Sequence, residues 1–310
     1  MARSNTLRLI QFRAGYNLPI HAAMEHGIFE KHGLEVEVAY TPGSDYMIDA
    51  LKAGKFEIAH PAADDVVAAV EREKHGKDGS NDVFLFMGLH SGLLSLISAP
   101  EYRDVASLRG QLLGVDSRHT GFVLLLEKFL RSNGLGPHDY SLVEIGGWEF
   151  RYRALREKRI AATLLTPPFV GHALASGCNH LVRGDGILPL YQATCGAARH
   201  TWAENHRDLL IGYISAYVEA TRWCFDHQNR ARCLDLLGKH NEIYGESADD
   251  TLDALLDPTY GIYPKAELNL AGVAAVLELR AQLGYLKRPA PPLEEYLDRS
   301  FYRQATGIDL

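Results

Sequence analysis

Leu108-Arg109-Gly110-Gln111-Leu112-Leu113-Gly114-Val115-Asp116-Ser117-Arg118-His119-Thr120-Gly121-Phe122 reads as strand, loop and helix in a single pass. Residues 112–115 form a short apolar run and the segment after them is small and polar. From 121 to 132 the apolar residues Phe122, Leu125, Leu126, Phe129 and Leu130 recur at helical spacing. Ser117 or Thr120 is the candidate N-cap. The first backbone N–H groups of a helix have no intrahelical partner, and its dipole is positive at that end. With Arg118 and His119 alongside, the loop is a candidate seat for a carboxylate, sulfonate or phosphate. Every strand-to-helix junction of an α/β protein exposes such groups and water satisfies most of them, so the weight of this loop comes from repetition of the pattern along the chain.

Upstream, apolar periodicity predicts strands over 7–12, 34–40, 56–60 and 83–89, with helices over 19–32, 45–53 and 64–74 between them. Gly33, Gly54 and Gly76 are the helix stops, and 75–82 is a turn-rich loop. A strand over 94–99 leads into a similar array: helix 105–109, strand 112–115, helix 121–132, strand 141–145, helix 149–158, strand 161–165, helix 169–175 and strand 180–182. Beyond 200 the spacing is helical over 202–227, 230–240, 248–255, 268–283 and 293–301. The expected fold is α/β: two Rossmann-like lobes, 1–92 with 190–310 and 93–189, joined by two crossings near 91–93 and 188–192. The helical C-terminal segment is expected to pack on the first lobe. Two crossings make a hinge.

The net charge of −7, with no basic block or aromatic-interleaved basic stripe, argues against nucleic acid as a partner, so a captured anion must be held locally. No apolar run is long enough to span a bilayer. The first strand begins at Leu7, which leaves no room for a signal peptide: as written the protein reads as cytoplasmic, and as periplasmic if a leader has been removed. Cys178, Cys195, Cys224 and Cys233 have no C-x-x-C spacing and read as small buried hydrophobes in a reducing compartment. No G-x-S-x-G elbow, P-loop or dinucleotide fingerprint is present, and nothing in the sequence requires a cofactor.

Gly27-Ile28-Phe29-Glu30-Lys31-His32-Gly33-Leu34-Glu35-Val36-Glu37-Val38, followed by Ala50-Leu51-Lys52-Ala53-Gly54-Lys55-Phe56-Glu57-Ile58-Ala59, resembles the start of the type 2 periplasmic-binding-protein fold. Within that fold it is similar to the group that contains the nitrate, sulfonate and taurine solute-binding proteins of ABC transporters and the pyrimidine-precursor synthases of thiamin biosynthesis. Leu108-Arg109-Gly110, Thr120-Gly121, Leu155-Arg156-Glu157 and Leu165-Thr166-Pro167-Pro168-Phe169 continue the likeness, which covers roughly 7–198. The resemblance implies a small ligand in the cleft between lobes, with an ABC permease as partner. It also implies contacts from Tyr16, Asn17, Ser44, Asp45, His60 and Asp64 on one lobe and Ser117, Arg118, His119, Thr120, Gly121, Gly147, Trp148, Glu149, Thr166 and Phe169 on the other, with His90 and Ser91 at the crossing. The enzyme branches leave less trace. The segment His60-Pro61-Ala62-Ala63-Asp64 lacks the cofactor-binding lysine of the pyrimidine synthases, and Gly15-Tyr16-Asn17 lacks the cysteine nucleophile of the aryl-sulfinate desulfinases. Gly147-Trp148-Glu149-Phe150-Arg151 is locally similar to the desulfinases.

His60, His90 and His119 each end a predicted strand, where open α/β sheets place ligands, and imidazole can act there as acid, base or metal ligand. Without H-x-H or H-x-x-x-H spacing, no metal site is expected. Trp148, after the open backbone of Gly146 and Gly147, and Tyr16 read as walls for an aromatic ligand body or as staples under helix starts. The leading expectation is a two-lobed binding protein that closes on a small organic anion. Arg118 and His119 would hold the acid group, with the backbone of Thr120 and Gly121. The alternative is a cytosolic enzyme acting on a similar acid, or on a pyrimidine precursor, through acid–base chemistry at His60 or His119.

Overall fold

A computed structural model of the chain describes residues 5–74, 82–119, 121–241 and 246–308. In chain order its strands are β1 (Thr6–Gln11), β2 (Glu35–Tyr40), β3 (Ile58–His60), β4 (Val83–Gly88), β5 (Ser95–Ser98), β6 (Leu112–Val115), β7 (Ser141–Glu144), β8 (Ala162–Leu165), β9 (Asn179–Arg183) and β10 (Cys195–Arg199). They form two five-stranded sheets, ordered β2-β1-β3-β10-β4 and β7-β6-β8-β5-β9. Each sheet has a parallel trio centred on β1 or β6, and a strand antiparallel to both its neighbours, β10 or β5, set beside that trio. The chain crosses to the second sheet after β4 and returns after β9. This two-sheet plan with helices on the sheet faces is the type 2 periplasmic-binding-protein fold that the sequence suggested.

The central strands are buried on both faces, which is why Val83-Phe84-Leu85-Phe86-Met87 reads as one unbroken apolar run. Where the strands expected from sequence are parallel, the register follows, with Leu9 opposite Val38 and Ile58. The exceptions are the two inserted strands. The strand near 94–99 joins the second sheet antiparallel, and β10 was not foreseen, because Cys-Gly-Ala-Ala-Arg contains no β-branched or aromatic residue.

Several helices are shorter than their periodicity suggests. The helix expected over 19–32 is two, Leu18–Glu25 and Ile28–Lys31, because Gly27 stands between them at φ +65°, a left-handed conformation that ends one helix and starts the next. His206 likewise separates His200–Asn205 from Arg207–Phe225. The segment 105–109 is only a 3-10 turn, Ala106–Leu108, and 293–301 divides into a 3-10 turn, Leu293–Glu295, and the helix Ser300–Thr306. The helix after β6 is Val123–Ser132 and starts at Phe122, without a side-chain cap. Ser117 therefore does not cap it, and Thr120, like the turn-rich 75–81, lies outside the described residues.

The C-terminal helices do not pack on the first sheet alone. Arg207–Phe225 lies against Leu18–Glu25 on the first sheet's side. Glu246–Leu255, however, also touches Phe169–Ala175, and Leu270–Leu283 packs on both Ala63–Lys74 and Val123–Ser132. The C-terminal segment thus braces the two sheets against each other.

Candidate functional site

The loops at the carboxyl ends of β1, β2 and β3 face those after β6, β7 and β8, and main-chain bonds join them. Gly15 N–H donates to Pro167 O (3.1 Å), and Gly147 N–H to Pro42 O (3.0 Å). The second approach is close enough that a Cβ on Gly146, at φ +92°, would come within 2.8 Å of Pro42 O, so only glycine fits there. Ser44 adds its backbone N–H (3.2 Å) and its hydroxyl to the carboxylate of Asp116, whose pKa burial pushes up. Gly121 N–H donates to Asp64 Oδ2 at 2.7 Å, and Trp148 Nε1–H to Tyr16 OH at 3.2 Å.

An aromatic cluster occupies the junction. Trp148, 2% exposed, has Phe12 edge-on at 6.1 Å, Phe122 at 5.6 Å and the Arg151 guanidinium over its ring at 4.2 Å. Tyr16 leans on the His90 ring at 4.5 Å, and Tyr191 meets Phe122 at 6.3 Å. A cleft of about 480 Å³ opens beside Trp148, lined by Phe12, Arg13, Tyr40, Pro42, Gly147 and Phe150 among others.

The polar groups here are unusual for a buried location. Arg151 is 3% exposed and its Nε and Nη1 donate to Gly146 O (2.9 Å) and Leu164 O (3.1 Å). Among the described residues no carboxylate is hydrogen-bonded to it. Burial lowers its pKa to about 10, against the opposing pull of Asp116 and Tyr16. The Nδ1 of His90 accepts from Gly92 N–H (3.2 Å), which leaves the neutral ring's proton on Nε2, a donor with no partner among the described residues. Thr166 Oγ1 and Asn17 Oδ1 are likewise buried without partners, although Asn17 Nδ2 donates to Phe12 O (2.7 Å). Orphaned buried polar atoms each cost about 1–3 kcal/mol and mark places where a polar guest would be welcome.

Tyr16, Asn17, Ser44, His90, Gly147, Trp148 and Thr166 thus meet at the junction, Asp64 and Gly121 join across it and Glu149 lines the cleft, whereas several candidates are already engaged by the chain itself. His60 is turned into the core: its Nδ1 meets Gln11 Oε1 (3.1 Å), its Nε2 accepts from Tyr213 OH (2.9 Å), and burial drives its pKa down to about 3. Asp64 is 1% exposed and held by Arg280 Nη1 at 3.0 and 2.9 Å, so the N–H that opens the loop after β6 already has a carboxylate of this chain. Arg118 is exposed; its backbone N–H donates to Glu144 (3.2 Å) and its guanidinium lies 4.0 Å from the same carboxylate. Ser117 is buried and accepts from His119 N–H (3.4 Å); Ser91 donates to Tyr260 O (2.7 Å). Asp45 and Glu149 are exposed, Asp45 near Arg72 at 3.7 Å, and Phe169 is half-buried against Tyr152. Phe12, Asp116, Arg151, Tyr191 and Arg280 were not singled out from sequence. For Arg151 a signal existed, since three residues after Trp148 puts it on the same helix face.

The chain is 26% identical over 217 residues to a candidate ABC transporter periplasmic binding protein of Brachyspira hyodysenteriae. The match takes in 66% of this chain and spans 61% of that relative's length. The nitrate-binding protein NrtA of Synechocystis superposes with a TM-score of 0.81 at 14% identity, over 98% of this chain and 89% of that one. The alkanesulfonate-binding protein SsuA of Xanthomonas axonopodis, solved with MOPS bound, gives 0.73 at 16% identity, over 94% and 96%. At such identities these likenesses establish the fold. Residues 4–238 match the NMT1-like family, and the chain belongs to it.

Proposed function

We propose that the protein is a solute-binding component of an ABC-type importer, one that takes a small organic anion between its two sheets and closes on it by hinge motion near 91–93 and 188–192. The observation that carries this reading is the buried Arg151 guanidinium, hydrogen-bonded to no carboxylate among the described residues and set beside the Trp148 ring at the junction. A guanidinium in that setting gains most from an anionic guest, because a planar oxyanion can take the donors that main-chain carbonyls do not use. His90 Nε2 and Thr166 Oγ1 are ready polar contacts, and Phe12, Tyr16 and Trp148 suit an apolar or aromatic ligand body. The relatives support an anionic ligand, one being described as a binding protein for nitrate and another for alkanesulfonates, of which only the second is organic.

Bonds such as Gly147 to Pro42 and Ser44 to Asp116 would have to open to admit a ligand and re-form over it. The test is a thermal-shift panel of nitrate, alkanesulfonates, aromatic sulfonates and aromatic carboxylates, followed by calorimetry and mass spectrometry of the recovered ligand. A ligand at 100 times its Kd adds about 2.7 kcal/mol of stability. The expected result is one class that raises Tm, loses its effect in Arg151→Met and is recovered unchanged. No shift across the panel would refute the reading, and turnover of a bound acid would favour an enzyme instead. No observation favours acid–base chemistry at His60, because both its ring nitrogens are engaged in the core.

A further inference from the structure

A second pocket, of about 430 Å³, draws on both sides of the junction. His119 comes from the loop after β6, Arg72 from the helix Ala63–Lys74, and Arg280, Tyr285 and Lys287 from the end of the helix Leu270–Leu283 and the turn after it. Its lining is strongly cationic. Glu71 is the one acid on it, and that carboxylate is already engaged by Lys74 (2.5 Å) and by Tyr296 OH (2.7 Å). Among the described residues Arg72 has one ion-pair partner, the exposed Asp45 at 3.7 Å, and Lys287 has none. Arg280 is the anchor: it is 5% exposed, its Nη1 is committed to Asp64, and its Nε–H is buried with no partner among the described residues. The guanidinium and the His119 ring both approach the Tyr285 ring, at 5.7 and 6.3 Å.

We propose that this pocket is an anion site for a phosphoryl group, separate from the Trp148 cleft and independent of whether that cleft binds an organic acid. Its donors are a guanidinium fork, a second guanidinium, an ammonium and an imidazole, which suit an oxyanion with several acceptor oxygens better than a single carboxylate. The volume exceeds that of bare phosphate, and Ala68, Tyr285 and Leu286 supply an apolar floor, so a phosphate monoester fits as well as the free ion. Occupancy would add a ligand contact between the loop after β6 and the C-terminal helix Leu270–Leu283, which already packs on both sides of the junction.

Inorganic phosphate is the first probe and phenyl phosphate the second, by calorimetry at low salt. The expected result is saturable binding at millimolar Kd or tighter, weakened about tenfold in the Arg72→Gln/Lys287→Gln double variant and unchanged in Arg151→Met. Both substituted side chains are solvent-exposed, so the double variant should keep the parent's circular dichroism and Tm, and Arg151→Met separates failure here from failure of the cleft reading. Tighter binding of phenyl phosphate supports the proposal with an esterified ligand, and tighter binding of phosphate supports it with the free ion. Absence of saturable binding by either probe at about 10 mM, or equal affinity in the double variant, would overturn it.

Discussion

Arg280→Met is expected to destabilise the protein by about 3–5 kcal/mol at neutral pH, the range for a buried ion pair that loses one partner. The Arg280 and Asp64 side chains are 6% and 1% exposed, and the guanidinium reaches both carboxylate oxygens, at 3.0 and 2.9 Å. Without it, Asp64 keeps one close donor among the described residues, the Gly121 N–H at 2.7 Å, in surroundings that already push its pKa upward. For 310 residues the unfolding entropy is about 0.65 kcal/mol/K, so the loss corresponds to a Tm lowered by about 5–8 °C. The deficit should shrink as pH falls, because a carboxyl whose pKa is raised in the folded state binds its proton more tightly there than in the unfolded chain. Adding Asp64→Leu should recover all but about 1 kcal/mol, the residue being the orphaned Gly121 N–H. Urea denaturation of wild type, single and double variants measures all three. A single variant within about 1 kcal/mol of wild type, or a double variant less stable than the single, would refute this account of the pair.

That pair also marks where the sequence stops being readable. The strand-loop-helix grammar of Leu112 to Phe122, the glycine stops at Gly33 and Gly54 and the apolar run of β4 are local signals, and each produced the element it implied. Local periodicity cannot see which element a neighbour will be. Thus β10 was hidden, since its small residues are favoured by insertion between β3 and β4 and not by strand propensity. The same limit governs the site. A free helix N-terminus beside Arg118 suggested an external anion, but Gly121 is answered by Asp64, itself neutralised by Arg280, 216 positions along the chain. His60, at a strand end like His90, differs from it in that Gln11 and Tyr213, the latter on a C-terminal helix, take both its nitrogens, whereas His90 keeps Nε2 without a partner among the described residues. Trp148 and Tyr16 were legible as cleft aromatics because Gly146 and Gly147 announce an open backbone; that they bond to each other is a tertiary fact.

Trp148→Phe removes the donor to Tyr16 OH and shrinks the ring under Arg151, and should cost about 1–2 kcal/mol in urea denaturation; no change would mean that this contact adds nothing to closure. His60→Gln should lower stability by about 1–2 kcal/mol through the Gln11 and Tyr213 bonds while leaving the affinity of any cleft ligand unaltered, so a selective loss of affinity would place His60 in the site after all. Acid should destabilise the protein early. His21, His60 and His90 are at most 2% exposed, and burial holds each pKa down at about 3, with His240 and Arg13 adding to the effect at His21 and His90 at His60. A depressed folded pKa means that the unfolded chain binds the extra proton, so this contribution is complete above the ordinary histidine pKa of about 6.5 and is lost as pH falls below it. The window is centred on the unfolded pKa, so each histidine removes about 1.4 kcal/mol in all between about pH 7.5 and 5.5, and three together remove about 4 kcal/mol. Asp64, Asp116 and Glu127, whose carboxyls burial pushes up, act in the opposite sense and flatten the fall at its acidic end. His60→Gln should cut the slope by about a third, and a stability profile flat from about pH 7.5 to 5.5 would show that these rings are not held neutral by burial.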